Sequence, residues 1–207
     1  MQYIDLTQTF VSEMPVFPGD PKPTLQQVAF LEKDSFNDHM LSTAMHVGTH
    51  MDAPLHMIDG GKKIDELDIH NFFGSGVLID ARGKATVDST VLEGVDIPEG
   101  AVVLIFTGFG SKFHDSEYFE KSPAVTEDFA QAMVTHKVKI VGMDTSGPDH
   151  DQPWPTHKVL LGSGITILEN LCNLDKLTDI KDFEVIALPA KLQADAAPTR
   201  VVAKIIK

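Results

Sequence analysis

Short apolar runs rich in β-branched residues limit most strongly how this chain of 207 residues can fold. Runs of this length and composition are typical of buried strands. They cover residues 77–80, 101–106, 138–143 and 183–188, and residues 201–206 form a closing run. Few segments of the chain have helical periodicity. The pattern predicts a mixed α/β fold around a β core, and the length favours one domain spanning residues 1–207.

The remaining segments give weaker predictions. Residues Leu41–Val47 alternate between apolar and polar, which predicts a strand whose wetter face carries His46. Residues 126–136 predict a helix, with Thr126 as N-cap and acidic residues near the positive end of the helix dipole. Segments 17–23 and 148–155 are rich in proline, and we predict that both are irregular.

The charge excludes some classes of partner. The formal net charge is −13, so the chain should repel nucleic acid and anionic membrane surfaces, and we expect it to bind neither.

Its one cysteine, Cys172, excludes an intramolecular disulfide and is interpreted as a buried, inert thiol. The sequence has no signal-peptide pattern and no apolar stretch long enough to span a bilayer. We therefore expect a cytoplasmic protein.

One cluster of ionisable residues points to metal chemistry. His46, His50, Asp52 and His56 fall within a single short run, and imidazole and carboxylate are the usual ligands of Zn²⁺, Mn²⁺ and Fe²⁺. Gly48 permits a sharp turn that could bring His50 and Asp52 back toward His46. An isolated histidine is usually an ordinary surface or core residue. We interpret four others in that way: His39, His70, His114 and His136.

A second group lies downstream. His157 is followed twelve residues later by Glu169, at the end of the apolar run Ile165–Leu168. A free carboxylate would be costly to bury there unless a cation or hydrogen bonds satisfy it. The alternative is simple exposure at the end of a strand. Asp144 ends another apolar run and is an equally ambiguous candidate.

The eleven-residue pattern His-x-Gly-Thr-His-x-Asp-x-Pro-x-His resembles the signature of the cyclase family, which includes bacterial kynurenine formamidases and isatin hydrolases. The resemblance extends over nearly the whole chain. Further matches occur in the family's order at Phe17–Asp20, Asp144-Thr145, His157, Glu169-Asn170 and Ala197–Arg200.

The resemblance implies a swivelling β/β/α fold, a dimer or tetramer, and two divalent ions per chain, either zinc or manganese. His46, His50 and Asp52 would bind the first ion, with Asp52 also reaching the second. His157 would bind the second ion, and Glu169 would contact both. His56 would remain unligated and act as the catalytic proton donor and acceptor.

The expected activity is hydrolysis of a small-molecule amide or formamide, such as conversion of N-formyl-L-kynurenine to L-kynurenine and formate. Phe17 would line the substrate pocket, although the formamidases that the chain resembles carry tryptophan in this loop. Two alternatives stay open: hydrolysis of a cyclic amide such as isatin or another lactam, and a metal-binding protein without turnover. A purely structural zinc site is disfavoured because such sites usually use several cysteines.

Overall fold

The computed structural model describes residues 2–206, in which short strands and helices alternate along the chain. The strands are β1 (Gln2–Asp5), β2 (Thr24–Ala29), β3 (Asp38–Ser42), β4 (His50–Asp52), β5 (Phe73–Asp80), β6 (Thr86–Val87), β7 (Val102–Phe106), β8 (Ala124–Val125), β9 (Ile140–Met143), β10 (Thr166–Glu169), β11 (Phe183–Pro189) and β12 (Ala196–Ile205). The α-helices are α1 (Leu31–Asp34), α2 (Tyr118–Lys121), α3 (Glu127–Thr135) and α4 (Pro155–Gly162).

Eight strands form one sheet in the order β1-β12-β11-β5-β7-β9-β10-β4. The neighbours among β5, β7, β9 and β10 pair in parallel, and the other pairs are antiparallel. Strand β4 pairs with β10 on one side and with the start of β12 on the other. Because β12 also pairs with β11 and β1, this second contact curls the sheet toward a barrel. The mixed α/β fold with a β core is thereby confirmed.

The central strand β7 is buried along its whole length because both faces of the sheet are covered. Val102, Leu104 and Phe106 belong to the apolar cluster on one face. Val103 and Ile105 belong to the cluster on the other face, where α3 and α4 pack. Parallel strands that are covered on both faces are expected to be continuously apolar, as these runs are.

Each predicted apolar run lies within or overlaps a strand, and α3 confirms the predicted helix. Thr126 occupies the N-cap position, but its hydroxyl donates to the carbonyl of Val87 at 3.2 Å and makes no capping hydrogen bond. Residues 17–23 are irregular, as predicted. Residues 148–154 are also irregular, but Pro155 begins α4, which the sequence reading missed.

The predicted strand over Leu41–Val47 is wrong. Strand β3 ends at Ser42, and residues 43–49 form turns that carry His46. The alternation that suggested one strand spans two environments, since Leu41 is exposed whereas Val47 is buried in a separate small cluster.

Strands β2 and β3 form a separate two-stranded hairpin, which together with α1 we call the arm (residues 24–42). Almost all of its residues are exposed. The exposed large apolar side chains of the arm are Leu25, Val28, Phe30, Leu31, Phe36, Met40 and Leu41. Among residues 2–206, no helix has the length and apolar character needed to cross a membrane.

Candidate metal centre

The turn before β4 folds the histidine motif back on itself. Gly48 adopts φ +67°, and a Cβ atom there would come within 2.7 Å of the Met14 side chain. The turn brings His46 Nδ1 to 3.3 Å from His50 Nε2 and to 3.0 Å from Asp52 Oδ1. The sequence prediction that Gly48 would return His50 and Asp52 to His46 is therefore confirmed.

Thr49 fixes this turn against its surroundings. Its hydroxyl donates to the carbonyl of Asn170 at 2.7 Å and accepts from the backbone N–H of Gln8 at 2.9 Å. The Asn170 side chain in turn donates to the carbonyl of Gly48 at 2.9 Å. The two bonds with Asn170 are buried and tie the motif to the end of β10.

Strand register brings the downstream acid to the motif. In the β4–β10 pair, Glu169 lies opposite His50. Glu169 Oε2 is 3.3 Å from His50 Nε2, and the residue is buried. The alternative of an exposed carboxylate at a strand end is therefore excluded.

Helix α4 supplies the remaining histidine. His157 lies in its first turn, and its Nε2 atom is 3.3 Å from Glu169 Oε1. One oxygen of Glu169 thus faces His50 and the other faces His157. The five predicted ligands form one continuous cluster: His46, His50, Asp52, His157 and Glu169.

Each histidine of this cluster has its second ring nitrogen engaged away from the cluster. His50 Nδ1 is 2.8 Å from the carbonyl of Gly48, which can only accept, so Nδ1 carries a proton and the neutral ring would offer the lone pair of Nε2 to a cation. His157 Nδ1 lies 2.8 Å from Asp149 Oδ2, and His46 Nε2 lies 2.9 Å from Asp195 Oδ2. Metal-binding histidines typically use the second nitrogen in this way.

The Asp52 carboxylate tests whether these residues fit a cation. It is fully buried, and neither oxygen has a hydrogen-bond partner among the described residues, although His46 and His50 nitrogens lie nearby. An unsatisfied buried carboxylate is costly. A cation between Asp52 and the facing ring nitrogens would remove this cost, so the donor set fits a divalent metal ion.

Without a cation, protons supply the positive charge of the cluster. Burial alone would raise the pKa of Asp52, but His46 and His50 hold it well below its usual range. Burial alone would lower the pKa of His157, but its contacts with Asp149 and Glu169 raise that pKa to about 10. The site therefore favours bound positive charge.

His56 lies in the short helical turn Pro54–His56, at the edge of the cluster. Its ring centroid is 4.1 Å from that of His46 and 6.0 Å from that of His157. Its Nδ1 atom is 3.4 Å from Asp195 Oδ2, a long contact. Burial lowers the pKa of His56, so its neutral imidazole is favoured near pH 7.

A cavity of roughly 310 Å³ opens onto the cluster, a volume suited to a small ligand. Phe17 lines it, as the resemblance to the cyclase family implied. The other lining residues are Asp20, His46, His56, Met57, Phe119, Ser146, Asp149, Trp154, His157, Glu169 and Asn170.

The structure adds residues that the sequence reading missed, chiefly Asp195 and Asp149 as partners of the site histidines and Trp154 and Phe119 in the cavity wall. Asp195 directly precedes β12, whose first residue pairs with Asp52, so only strand pairing reveals its position. The proximity of Asp149 to His157 in sequence was an available signal.

Several other candidates lie outside the centre. The Asp144 carboxylate accepts hydrogen bonds from the backbone of Thr107, Gly108 and Gly110, so it anchors the loop after β7. Cys172 is only half-buried, and burial raises the pKa of its thiol to about 11. The four histidines interpreted as ordinary are exposed: His39, His70, His114 and His136.

Known proteins resemble the chain over its full length. It is 32% identical to a kynurenine formamidase of Bacillus mycoides and 33% identical to one of Bacillus cereus. Each comparison covers 97% of this chain and 96% of the relative.

Solved structures share the fold. Isatin hydrolase A from Labrenzia aggregata, bound to benzyl benzoate, superimposes with a TM-score of 0.89 at 26% identity, covering 100% of this chain and 94% of the other. The structure of a potential metal-dependent hydrolase with cyclase activity superimposes with a TM-score of 0.82 at 28% identity. The comparison covers 100% of this chain and 98% of the other. The family model described as putative cyclase matches residues 4–150. With the relatives above, this match shows that the chain belongs to the cyclase family.

Proposed function

We propose that this protein is a metal-dependent hydrolase that cleaves the formamide bond of an arylformamide, with N-formyl-L-kynurenine as substrate and L-kynurenine and formate as products. The observation that carries the proposal is the orientation of His46, His50 and His157. Each ring turns one nitrogen toward Asp52 or Glu169 while its other nitrogen is engaged outside the cluster. Full-length similarity to kynurenine formamidases supports hydrolysis of an amide rather than another bond.

The proposed centre holds two divalent ions, zinc or manganese. His46, His50 and Asp52 would bind the first, with Asp52 also reaching the second, which His157 would bind. Glu169 would contact both, as supported by its two oxygens, which lie 3.3 Å from His50 and from His157. Such ions, when bound, lower the pKa of water toward ~7 and polarise a carbonyl group.

His56 would carry the proton in this reaction. Its neutral imidazole can accept a proton from the attacking water and then deliver it to the nitrogen of the leaving amine. Asp195 lies beside both His56 and His46, so it can orient the proton carrier relative to a metal ligand. Phe17 would contact the aryl part of the substrate from the cavity wall.

A second candidate activity is hydrolysis of a cyclic amide such as isatin or another lactam. It is favoured by the similarity to isatin hydrolase A, whose structure superimposes on the whole of this chain. Ring opening releases no formate, whereas cleavage of N-formyl-L-kynurenine releases one formate per turnover. Supplying the metal-loaded protein with each substrate and measuring formate and ring-opened product separates the two activities. Failure of both, over a panel of other formamides and lactams, would favour a metal-binding protein without turnover.

We further propose that the protein forms a homodimer or homotetramer through the arm. A two-stranded hairpin is marginally stable alone, and contiguous exposed apolar surface of this kind usually marks an interface. The arm exposes Leu25 and Leu41, which lie opposite each other across β2 and β3. A second copy of the chain is the chosen partner because the resemblance to the cyclase family implies dimers or tetramers. Analytical ultracentrifugation tests this, and a concentration-independent monomer would contradict it.

The proposed substrate would place the enzyme in tryptophan catabolism. The cytoplasmic location, and the expectation that the protein binds neither nucleic acid nor membranes, remain predictions from charge and sequence pattern.

A further inference from the structure

Trp154 is the only tryptophan of the chain and lies in the cavity wall beside the candidate metal centre. Its ring centroid is 6.4 Å from that of Phe17, with the rings inclined at 71°. It is 6.1 Å from the ring of His157, at 84°. The indole therefore lies beside both an aromatic residue of the cavity and a proposed metal ligand.

The backbone of Trp154 has an unusual conformation, which two hydrogen bonds support. Trp154 has φ 60° and ψ 56°, in the left-handed region that bulky side chains rarely adopt. Its N–H donates to the carbonyl of Asp151 at 3.2 Å, and its carbonyl accepts from Lys158 N–H, also at 3.2 Å. Strained conformations of this kind cost free energy and concentrate at ligand-binding sites.

Trp154 is one of three aromatic residues in the cavity wall, with Phe17 and Phe119. Here the indole comes from the N-terminal end of α4 and adjoins Phe17, and Phe119 extends the same wall with its ring 6.0 Å from Phe17. An aromatic wall is thus built from separate segments of the chain.

We propose that Trp154, together with Phe17, binds the aryl ring of the substrate and so selects aryl amides over saturated amides of equal size. An aromatic ring gains edge-to-face or stacked contacts with Trp154 and Phe17 that a saturated ring cannot make. Because Trp154 also lies beside His157, a ring bound against the indole would lie close to the centre. This inference rests on the proposed amide hydrolysis, and its test includes a measurement that needs no turnover.

Two formamides of similar size provide the first measurement: formanilide, which is aromatic, and N-cyclohexylformamide, which is saturated. Trp154→Leu should raise KM for formanilide roughly two- to tenfold, the range expected for one aromatic contact, and should change KM for N-cyclohexylformamide little. Phe109→Leu is the matched control because Phe109 packs on Tyr118 and does not line the cavity. It should affect neither substrate.

The second measurement uses fluorescence of the metal-free protein, in which Trp154 is the sole tryptophan. Formanilide should change the emission saturably, with an apparent Kd roughly two- to tenfold lower than that of N-cyclohexylformamide. Because no bond is cleaved, this result is independent of whether the protein hydrolyses amides. If it succeeds while hydrolysis fails, the aryl site stands and the proposed function is wrong.

Stability separates a binding role from a packing role. Trp154→Asn introduces a residue that tolerates the left-handed conformation, so a binding role predicts little loss of Tm together with weaker formanilide binding by calorimetry. A large fall in Tm with unchanged affinity would overturn the proposal. Equal losses for both formamides, or loss of metal from Trp154→Leu, would also overturn it, because Trp154 would then act through His157 or through the fold.

Discussion

The run from His46 to His56 and the arm of residues 24–42 are close neighbours in sequence, yet they differ in almost every physical respect. Strand β4 is buried and paired on both edges, which fixes His50 and Asp52 against β10 and β12. The two strands of the arm pair only with each other, and its large apolar side chains are exposed to solvent. In the first region the chain itself determines the geometry, whereas in the second we propose that another copy completes it.

This comparison predicts that substitutions around β4 alter chemistry, whereas substitutions in the arm alter assembly. The largest expected effect is that of His56→Ala. If His56 carries the proton, kcat should fall by roughly two to four orders of magnitude while metal content and Tm are retained. Single-turnover rates, elemental analysis and thermal melts on one preparation measure all three.

His136→Ala is a matched control for this variant, since His136 is an exposed histidine outside the centre. It should leave kcat unchanged. Wild-type turnover in His56→Ala would contradict the proposed mechanism, and a loss of metal would identify His56 as a ligand instead.

Asp195→Asn should have the next largest effect. Asparagine keeps the shape of the side chain but removes the charge that faces His46 Nε2. Loss of such a partner typically weakens metal affinity about 10- to 100-fold. A metal titration against a competing chelator measures the change, with Asp182→Asn, an exposed carboxylate, as the control. Equal affinities for wild type and Asp195→Asn would show that Asp195 does not support the centre.

Phe17→Ala should raise KM for aryl substrates several-fold and change kcat less. Loss of one aromatic contact costs about 1 kcal/mol, and Phe17 lines the cavity without belonging to the ligand cluster. Steady-state kinetics with formanilide measures the effect. Identical KM values in the two proteins would place the aryl ring elsewhere.

Leu41→Arg should have the smallest effect on the centre. A charge in the exposed apolar surface of the arm should weaken self-association but leave metal content unchanged, because β3 contributes no residue to the cluster. Sedimentation velocity and elemental analysis of the same sample test both parts. An unchanged oligomer would remove Leu41 from the interface, and lost metal would show that arm and centre are coupled.

The sequence predicted the parts of the fold that depend on local composition. Runs such as residues 101–106 are apolar throughout because both faces of the sheet are covered, so their composition alone indicates strands. The error over Leu41–Val47 arose because alternation does not distinguish a half-buried strand from an exposed strand that runs into a turn. Helix α4 was missed because prolines mark both loops and the first residue of a helix.

The residues of the candidate centre likewise differ in how far the sequence alone indicates them. His46, His50 and Asp52 were accessible because one glycine turn brings them together within a short run. Glu169 and His157 were found through the resemblance to a family and through their sequence context. Asp195 gave no local signal, since it reaches the centre only through the pairing of β12 with β4.

The metal content per folded chain shows whether a binuclear centre exists. Its proposed ligands are His46, His50, Asp52, His157 and Glu169. Elemental analysis after gentle purification, followed by titration with zinc or manganese, should reach up to two divalent ions per chain. The same measurement on Asp52→Ala should show that both ions are lost, because this carboxylate is proposed to contact both. Only trace metal in the wild-type protein, with no uptake of added zinc or manganese, would show that these residues do not form a metal centre.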